Sequence, residues 1–274
     1  MAAGLAGPAR ASAGGVRDYV LGVRMINGLG QDLRFGGQVM KNVAGYDISR
    51  LMAGSWGRLG VLTEVKVRVM RKPEAEEFRA FFLPDWVAAS TAIRELAQLK
   101  LPLSMLRLSN AEETRTQLIM AGHEGQIALL DKYLRLRGAG HGRCMMMVGL
   151  TGSQAMIRFA LGQLMRVLRR YGAVGTGQIL GTKWAFNRFR SPYLRESLWQ
   201  LGYAVDTLET AVDWPRVTPA LEAIESALRD GLRDEGERVF PFTHLSHLYA
   251  QGSSIYTTYV YRVGKDYAET HARW

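Results

Sequence analysis

The spacing of hydrophobic and polar positions changes along the chain and divides it into two parts. Up to about residue 72, short apolar runs with period two lie between glycines, which predicts strands and turns. Residues 23–26 and 32–35 flank Asn-Gly-Leu-Gly, the composition of a hairpin turn. Over residues 61–70 the alternation predicts a strand with a core on one side only, its apolar face formed by Val61, Val65, Val67 and Val69.

Beyond Pro73, which ends that strand, strands are separated by longer helices with a period near 3.6. The pattern predicts strands at 78–83, 105–108, 145–150, 174–180, 204–210, 239–248 and 254–263, and helices at 86–98, 154–170, 192–201 and 218–233. Helices that cover a mostly antiparallel sheet form an α+β layer. We therefore expect an α+β fold with two domains, residues 1–73 and 74–274.

Composition narrows the class of protein. Hydrophobic residues make up 47% and charged residues 22% of the 274, which is ordinary for a globular fold. We find neither an apolar run of membrane-spanning length nor the apolar core of a signal peptide, so we expect a cytoplasmic protein. Cys144, the single cysteine, cannot form an internal disulfide; its apolar neighbours indicate a buried strand position with a raised pKa.

The charge balance indicates which partners the protein accepts. Lys and Arg number 35 against 25 Asp and Glu, a net charge of +10, which favours anionic ligands. The basic residues form no run interleaved with aromatics, so we expect no nucleic-acid partner. His244 and His247, at spacing three in a predicted strand, should point to opposite faces, so we also expect no metal site.

Glycines at spacing three are the main candidate for ligand binding in the first part. Gly54, Gly57 and Gly60 allow close approach of the backbone, and exposed N–H groups there could bind a diphosphate. A set of tight turns without a ligand explains the same spacing.

The surrounding segments resemble one family. Lys-Asn-Val-Ala-Gly-Tyr-Asp at 41–47 and Gly-Ser-Trp-Gly-Arg-Leu-Gly-Val-Leu-Thr-Glu at 54–64 resemble the second half of the PCMH-type FAD-binding domain of FAD-linked oxidases, the vanillyl-alcohol oxidase type. The likeness is tightest to the glycolate oxidase FAD-binding subunit and extends to residues 2–7 and 16–22. Many members have Glu where this chain has Trp56. The resemblance implies FAD contacts from Ala3, Gly4, Leu5, Ala6, Trp56, Gly57, Arg58, Leu59, Gly60, Val61 and Leu62.

Residues 78–274 resemble a different branch. Segments 188–195, 205–214 and 247–259 are similar to the substrate-side domain of alkyldihydroxyacetonephosphate synthase and its bacterial relatives, an FAD-linked oxidase C-terminal domain. The resemblance implies that Arg195 faces the anionic group of the substrate and that Tyr256 lies near the flavin as a proton-transfer or positioning group. His247 would line the substrate pocket. From the residues alone, an arginine such as Arg195 is more often a surface helix residue, and a tyrosine such as Tyr256 is more often a strand core residue.

The resemblance implies an FAD-dependent oxidoreductase that oxidises a small 2-hydroxy acid, of glycolate or D-lactate type, by hydride transfer to flavin N5. Two alternatives stay open: ether-lipid chemistry of the alkyldihydroxyacetonephosphate synthase kind, and a non-catalytic flavoprotein subunit or fragment. Expected partners are a small anionic substrate, partner flavoprotein and iron–sulfur subunits, and the inner face of a membrane by peripheral association. Both chain ends fall inside family motifs, so we expect a fragment, a misassigned start or a composite sequence that binds FAD weakly by itself.

Overall fold

A computed structural model of the chain describes residues 1–41, 43, 45–122, 124–188 and 194–274. Two compact units are present, Met1–Glu74 and Ala75–Trp274. The predicted segments 41–47, 188–195 and 192–201 each lie partly outside the described residues.

The first unit is a small three-stranded sheet with short helices. Its elements are α1 (Arg10–Ala13), α2 (Val16–Tyr19), β1 (Val20–Ile26), β2 (Asp32–Gly36), α3 (Ile48–Leu51) and β3 (Val61–Val67). The order in the antiparallel sheet is β2-β1-β3. The predicted hairpin is confirmed: the Asn27 side-chain oxygen accepts hydrogen bonds from the Leu29 and Gln31 N–H groups at 2.9 and 3.0 Å, which fixes the turn.

The apolar face predicted for the strand at 61–70 is wrong. A β-bulge at Thr63 breaks the alternation: Arg24 of β1 pairs with Glu64 and the next residue, Met25, pairs with Leu62, so Thr63 has no opposite residue in the register. Leu62 and Val65 therefore share the side that packs on the small core, and Val61 is 68% exposed. The strand itself ends at Val67, earlier than predicted.

The second unit contains a seven-stranded antiparallel sheet of order β7-β4-β6-β5-β9-β10-β8. Its elements are β4 (Ala75–Leu83), α4 (Trp86–Gln98), β5 (Leu103–Ser109), α5 (Ala111–Met120), α6 (Glu124–Leu136), β6 (Cys144–Gly152), α7 (Gln154–Arg170), β7 (Val174–Gly175), α8 (Ile179–Asn187), α9 (Leu194–Gln200), β8 (Tyr203–Asp213), α10 (Trp214–Asp230), β9 (Phe240–Leu248), β10 (Gly252–Arg262) and α11 (Tyr267–Arg273). The expectation of an α+β fold is confirmed.

Helices cover the two faces of this sheet unequally. On one face, α4, α7 and α10 pack a large core against the central strands, with Ile93, Leu164 and Leu245 fully buried. On the other face, α5, α6 and α8 cover β4, β6 and part of β5 with a smaller core around Phe82 and Leu134. The smaller core does not extend over β9, β10 and β8, so the face of these strands that lies away from α10 is the part of the sheet where side chains can form a site.

Several predicted elements need correction. Only Val174–Gly175 of the strand predicted at 174–180 is a strand, because Ile179 begins α8 and its apolar residues pack as a helix. The pattern missed α5, α6 and α11 entirely. Helices 86–98 and 154–170 have the predicted bounds, each capped by a side chain that accepts a backbone hydrogen bond, Asp85 and Ser153.

Cys144 is buried on β6, as predicted. Burial, with the nearby Asp85 carboxylate, raises the pKa of its thiol to about 12.

Candidate functional site

Three strands bring a row of polar side chains onto the less covered face of the large sheet. In register, His244 of β9 lies opposite Tyr256 of β10, which lies opposite Glu209 of β8. The rings of His244 and Tyr256 stack with centroids 4.8 Å apart and an interplanar angle of 27°. The phenol of Tyr256 is thus held at the centre of this face by a neighbouring strand.

A buried ion pair holds the imidazole of His244. Arg107 Nη2 on β5 donates to Glu113 Oε1 on α5 at 2.6 Å, and His244 Nδ1 lies 3.0 Å from each of these two atoms. The side chains of Glu113 and His244 are only 4% and 12% exposed. Hydrogen bonds between charged partners in such low-dielectric surroundings are short and strong, so these three groups act as one unit.

The pKa values in this cluster follow from burial and charge. Burial raises the pKa of Glu113, but Arg107 and then His244 outweigh it, and the pKa falls to about 2. Burial and the Arg107 charge lower the pKa of His244 against the opposing effects of Glu113 and Glu209. At neutral pH, Glu113 is therefore a carboxylate and His244 a neutral ring.

The cap of α5 places Glu113 beside the strand. Asn110 Oδ1 accepts from the Glu113 N–H at 2.9 Å, while Asn110 Nδ2 donates to buried Glu225 of α10 at 2.7 Å. The Thr243 hydroxyl donates to the same Glu225 oxygen at 2.7 Å. Because Thr243 precedes His244 on β9, this second polar network fixes the strand from the other face of the sheet.

A β-bulge in β9 overturns the prediction that His244 and His247 point to opposite faces. Leu245 pairs with Ile255 and Leu248 with Ser253, so two residues, Ser246 and His247, lie opposite Ser254 alone. Leu245 and Leu248, also three apart, are both buried in the same core. His247 therefore lies on the face of His244, and its backbone N–H donates to Ser254 Oγ at 3.2 Å.

Arg195 lies elsewhere in the second unit. Its guanidinium donates to Asp206 of β8 at 3.0 Å, and its side chain is 62% exposed. Asp206 pairs with Tyr259, and the Tyr259 ring packs into a small core near α10, on the face of the sheet that does not carry His244. Tyr256 is three residues from Tyr259 on a strand paired with β8 in regular register, so its side chain points to the other face. The proposed roles of Arg195, Tyr256 and His247 in substrate binding stay predictions.

A groove of about 700 Å³ begins beside this row of polar residues. Its apolar wall includes Phe240, Phe242 and Val260, with Met120 of α5 and Leu198 of α9 opposite. Phe242 is two residues from His244 on β9 and has the same orientation, so the groove continues the face that carries Tyr256.

In the first unit, the two segments predicted to contact FAD lie side by side. The Trp56 N–H donates to the Ala2 carbonyl at 2.9 Å, and the Gly54 N–H donates to that of Met1 at 3.4 Å. Gly4, with φ of 68°, approaches Gly54 so closely that an added Cβ would lie 3.0 Å from its Cα. Two positive-φ loops in contact form the kind of backbone surface that a large anionic cofactor needs.

The chemistry of these loops fits a flavin nucleotide. An added Cβ on Gly54 or Gly57, with φ of 86° and 75°, would meet nothing within 4 Å, so the backbone there is open to a ligand. Trp56 has φ of 54°, a strained value for a residue other than glycine, and is 72% exposed. Apolar side chains are exposed around it at Leu5, Leu59 and Val61, which suits a flat aromatic ring.

Sequence reasoning missed Arg107 and Glu113 and considered His244 only as a metal ligand. Asn110 followed by Glu112 and Glu113 is a cap with an acidic first turn, a signal that predicts the start of α5. Among the residues that the structure describes, no group of three His, Cys, Asp or Glu side chains is arranged to hold a metal ion. Within that same part of the chain, no helix is both long and apolar enough to span a membrane.

Known proteins similar to this chain include both predicted branches. It is 52% identical over 101 residues to the glycolate oxidase subunit GlcE of Escherichia coli, covering 37% of this chain and 28% of that protein. It is 26% identical over 251 residues to alkyldihydroxyacetonephosphate synthase of Dictyostelium discoideum, covering 89% and 41%. A solved alkyldihydroxyacetonephosphate synthase structure has the same fold, with a TM-score of 0.85 and 24% identity over all of this chain and 50% of that one.

The fold and these similarities agree on one family of flavoproteins. The chain belongs to the FAD-linked oxidases, because the model of that family's C-terminal domain matches residues 72–274. FAD is the cofactor of this family, as the resemblance implied. The chain spans half or less of the length of the relatives described above.

Proposed function

We propose that the enzyme to which this chain belongs oxidises a small 2-hydroxy acid of glycolate or D-lactate type. The observation that carries the substrate class is the 52% identity to a glycolate oxidase subunit, twice the 26% identity to alkyldihydroxyacetonephosphate synthase, although over a shorter stretch. The loops of the first unit would hold FAD, which would supply the hydride-accepting chemistry that this oxidation needs.

The first unit supplies the FAD contacts in this proposal. Residues 3–6 and 56–62 contribute backbone surface and exposed apolar side chains, and the hydrogen bond from the Trp56 N–H to the Ala2 carbonyl holds the two segments together. The position of Gly60 is set by packing, because an added Cβ would collide with Met25 and the Ile26 carbonyl. This assignment of the loops accounts for the strained backbone of Trp56.

The second unit supplies the substrate side. Tyr256 orients the substrate hydroxyl and exchanges its proton, a role that its central position beside the His244 cluster supports. The resemblance implied that Arg195 binds the carboxylate, but its guanidinium lies with Asp206 on the face of the sheet opposite to Tyr256, so one small substrate does not contact both side chains in this arrangement. His247 lies on the face of Tyr256 and lines the site.

The test is oxidation of glycolate and D-lactate by the FAD-loaded enzyme with an artificial electron acceptor. Tyr256→Phe should lower kcat by about 10²-fold or more, since it removes the proton-transfer group but keeps the ring. Tyr267→Phe is the matched control, because Tyr267 is 79% exposed on α11. Equal activity of both variants would contradict the role of Tyr256.

Ether-lipid chemistry is the second candidate. It is favoured by the similarity to alkyldihydroxyacetonephosphate synthase, which covers 89% of the chain. Formation of alkyldihydroxyacetonephosphate by the FAD-loaded enzyme, with no turnover of any 2-hydroxy acid, would establish it over our first proposal.

We also propose that the chain works within an assembly, because a similar protein is named as a subunit of glycolate oxidase. Partner flavoprotein and iron–sulfur subunits are the candidates, in the cytoplasm at the inner face of the membrane. Co-purification of such subunits, with no turnover by the isolated chain, would favour a non-catalytic subunit over a catalytic one.

Stoichiometric flavin absorbance of the purified chain would contradict the expected weak FAD binding.

A further inference from the structure

We propose that His244 is a positioning residue for Tyr256, a ring that the buried Glu113 carboxylate holds against the phenol. The inference rests on the proposed catalytic role of Tyr256. It makes the Arg107–Glu113–His244 cluster part of the working site, although none of its members needs to touch the substrate.

The contacts define how the imidazole is held. Glu113 Oε1 can only accept, and it lies 3.0 Å from His244 Nδ1. Arg107 Nη2 carries two hydrogens and donates one of them to that oxygen at 2.6 Å, and Nδ1 lies 3.0 Å from the same nitrogen. Because the carboxylate oxygen needs a donor at each close contact, we infer that His244 carries its proton on Nδ1 and donates to Glu113. A lone pair on Nδ1 would instead face the carboxylate oxygen.

Burial and the charge of Arg107 keep the ring neutral, against the carboxylates among the charged and titratable groups that face it. These groups come from each strand or helix that packs on it: Arg107 on β5, Glu113 on α5, Glu209 on β8 and Tyr256 on β10. Burial and Arg107 lower the pKa of His244 more than the two carboxylates raise it. The ring therefore contributes shape and stacking to Tyr256 rather than a positive charge.

The consequence for Tyr256 is a restricted phenol. A tyrosine side chain has two rotatable torsions, and a ring stacked at 4.8 Å on one face excludes the rotamers that would pass through it. Because a misplacement of about 1 Å can lower a rate by about 10²-fold, such restriction is a means of catalysis without contact with the substrate.

Two substitutions separate the ring from its hydrogen bond. His244→Asn keeps a donor nitrogen near the position of Nδ1 and removes the ring, whereas His244→Phe keeps the ring and removes the donor. The readout is ¹⁹F NMR of the full chain labelled with 3-fluorotyrosine, in which Tyr256→Phe identifies one signal among 11 tyrosines. His141→Asn is the matched control, since His141 is an exposed turn residue.

We expect the Tyr256 resonance to shift most in His244→Asn, less in His244→Phe, which keeps a ring but loses the hydrogen bond to Glu113, and to be unchanged in His141→Asn. In the FAD-loaded enzyme, His244→Asn should lower kcat about tenfold or more while KM changes little.

An unchanged Tyr256 resonance in His244→Asn overturns the proposal, whatever the turnover. A shifted resonance with an unchanged kcat overturns it as well. A shifted resonance in a protein that oxidises no 2-hydroxy acid supports the positioning of Tyr256 by His244 and overturns the proposed function instead.

Discussion

Replacement of Glu113 by glutamine should destabilise the second unit strongly, although it changes only one atom type. The carboxylate is 4% exposed and 2.6 Å from Arg107, whose side chain is itself 18% exposed. Removing one partner of such a buried pair leaves the other charge uncompensated, which costs about 3–5 kcal/mol. The pKa gives the same scale: a fall from 4.5 to about 2 corresponds to about 3 kcal/mol at neutral pH.

The assay compares thermal and urea denaturation of wild type and Glu113→Gln, with unfolding monitored by circular dichroism. A loss of about 3 kcal/mol should lower the melting temperature of the unit by about 6–12 °C, at about 2–4 °C per kcal/mol for its size. Glu112→Gln is the control, because Glu112 lies in the same first turn of α5 and has no described ion pair. It should change the melting temperature little.

The pH dependence has a defined sign. The folded pKa of Glu113 is lower than the unfolded one, so its stabilisation is complete above pH 4.5 and disappears as pH falls to about 2. The difference between wild type and Glu113→Gln should therefore narrow by about half or more between pH 7 and pH 3. Equal stability of the two proteins at pH 7, or a gap that stays constant down to pH 3, would refute the reasoning.

Three further outcomes follow from the same structure. Cys144, whose thiol pKa is raised to about 12 by burial and the nearby Asp85, should resist thiol reagents at pH 8 until the protein unfolds, as a timed colorimetric assay would detect. Gly60→Ala should destabilise the first unit more than Gly57→Ala, since only at Gly60 does the new methyl collide with Met25, and differential proteolysis would rank them. Leu164→Ala, at a fully buried position on α7, should cost about 2–5 kcal/mol in urea denaturation.

The sequence was most informative where one periodic face meets a large core. Helix α7 has its predicted bounds because Ile157, Leu164 and Leu168 repeat at helical spacing and all pack into one cluster. Helix α5 was missed because few of its side chains enter a core, and Leu118 is its one large buried apolar residue. Short segments with few apolar residues, such as 174–180, give no periodicity that separates a strand from a helix, and tertiary packing decides between them.

The candidate site shows a different limit. Tyr256 could be selected through family resemblance. Arg107 and Glu113, which hold the His244 ring beside it, are more than 140 residues earlier in the chain and come near Tyr256 only through the sheet order β5-β9-β10. No local pattern encodes that juxtaposition. Both incorrect face assignments, at β3 and at His247, came from assuming unbroken alternation where the strand contains a bulge.

The bulge at Ser246 and His247 also affects how this strand can be aligned with related chains. One additional residue there adds a side chain to the open face while Leu245 and Leu248 keep their places in the core. A relative could thus lose one residue at this point without repacking its interior. An alignment that forbids gaps inside strands would displace its residues by one position on one side of the bulge. It would then compare His244 or His247 with the wrong residue of the related chain.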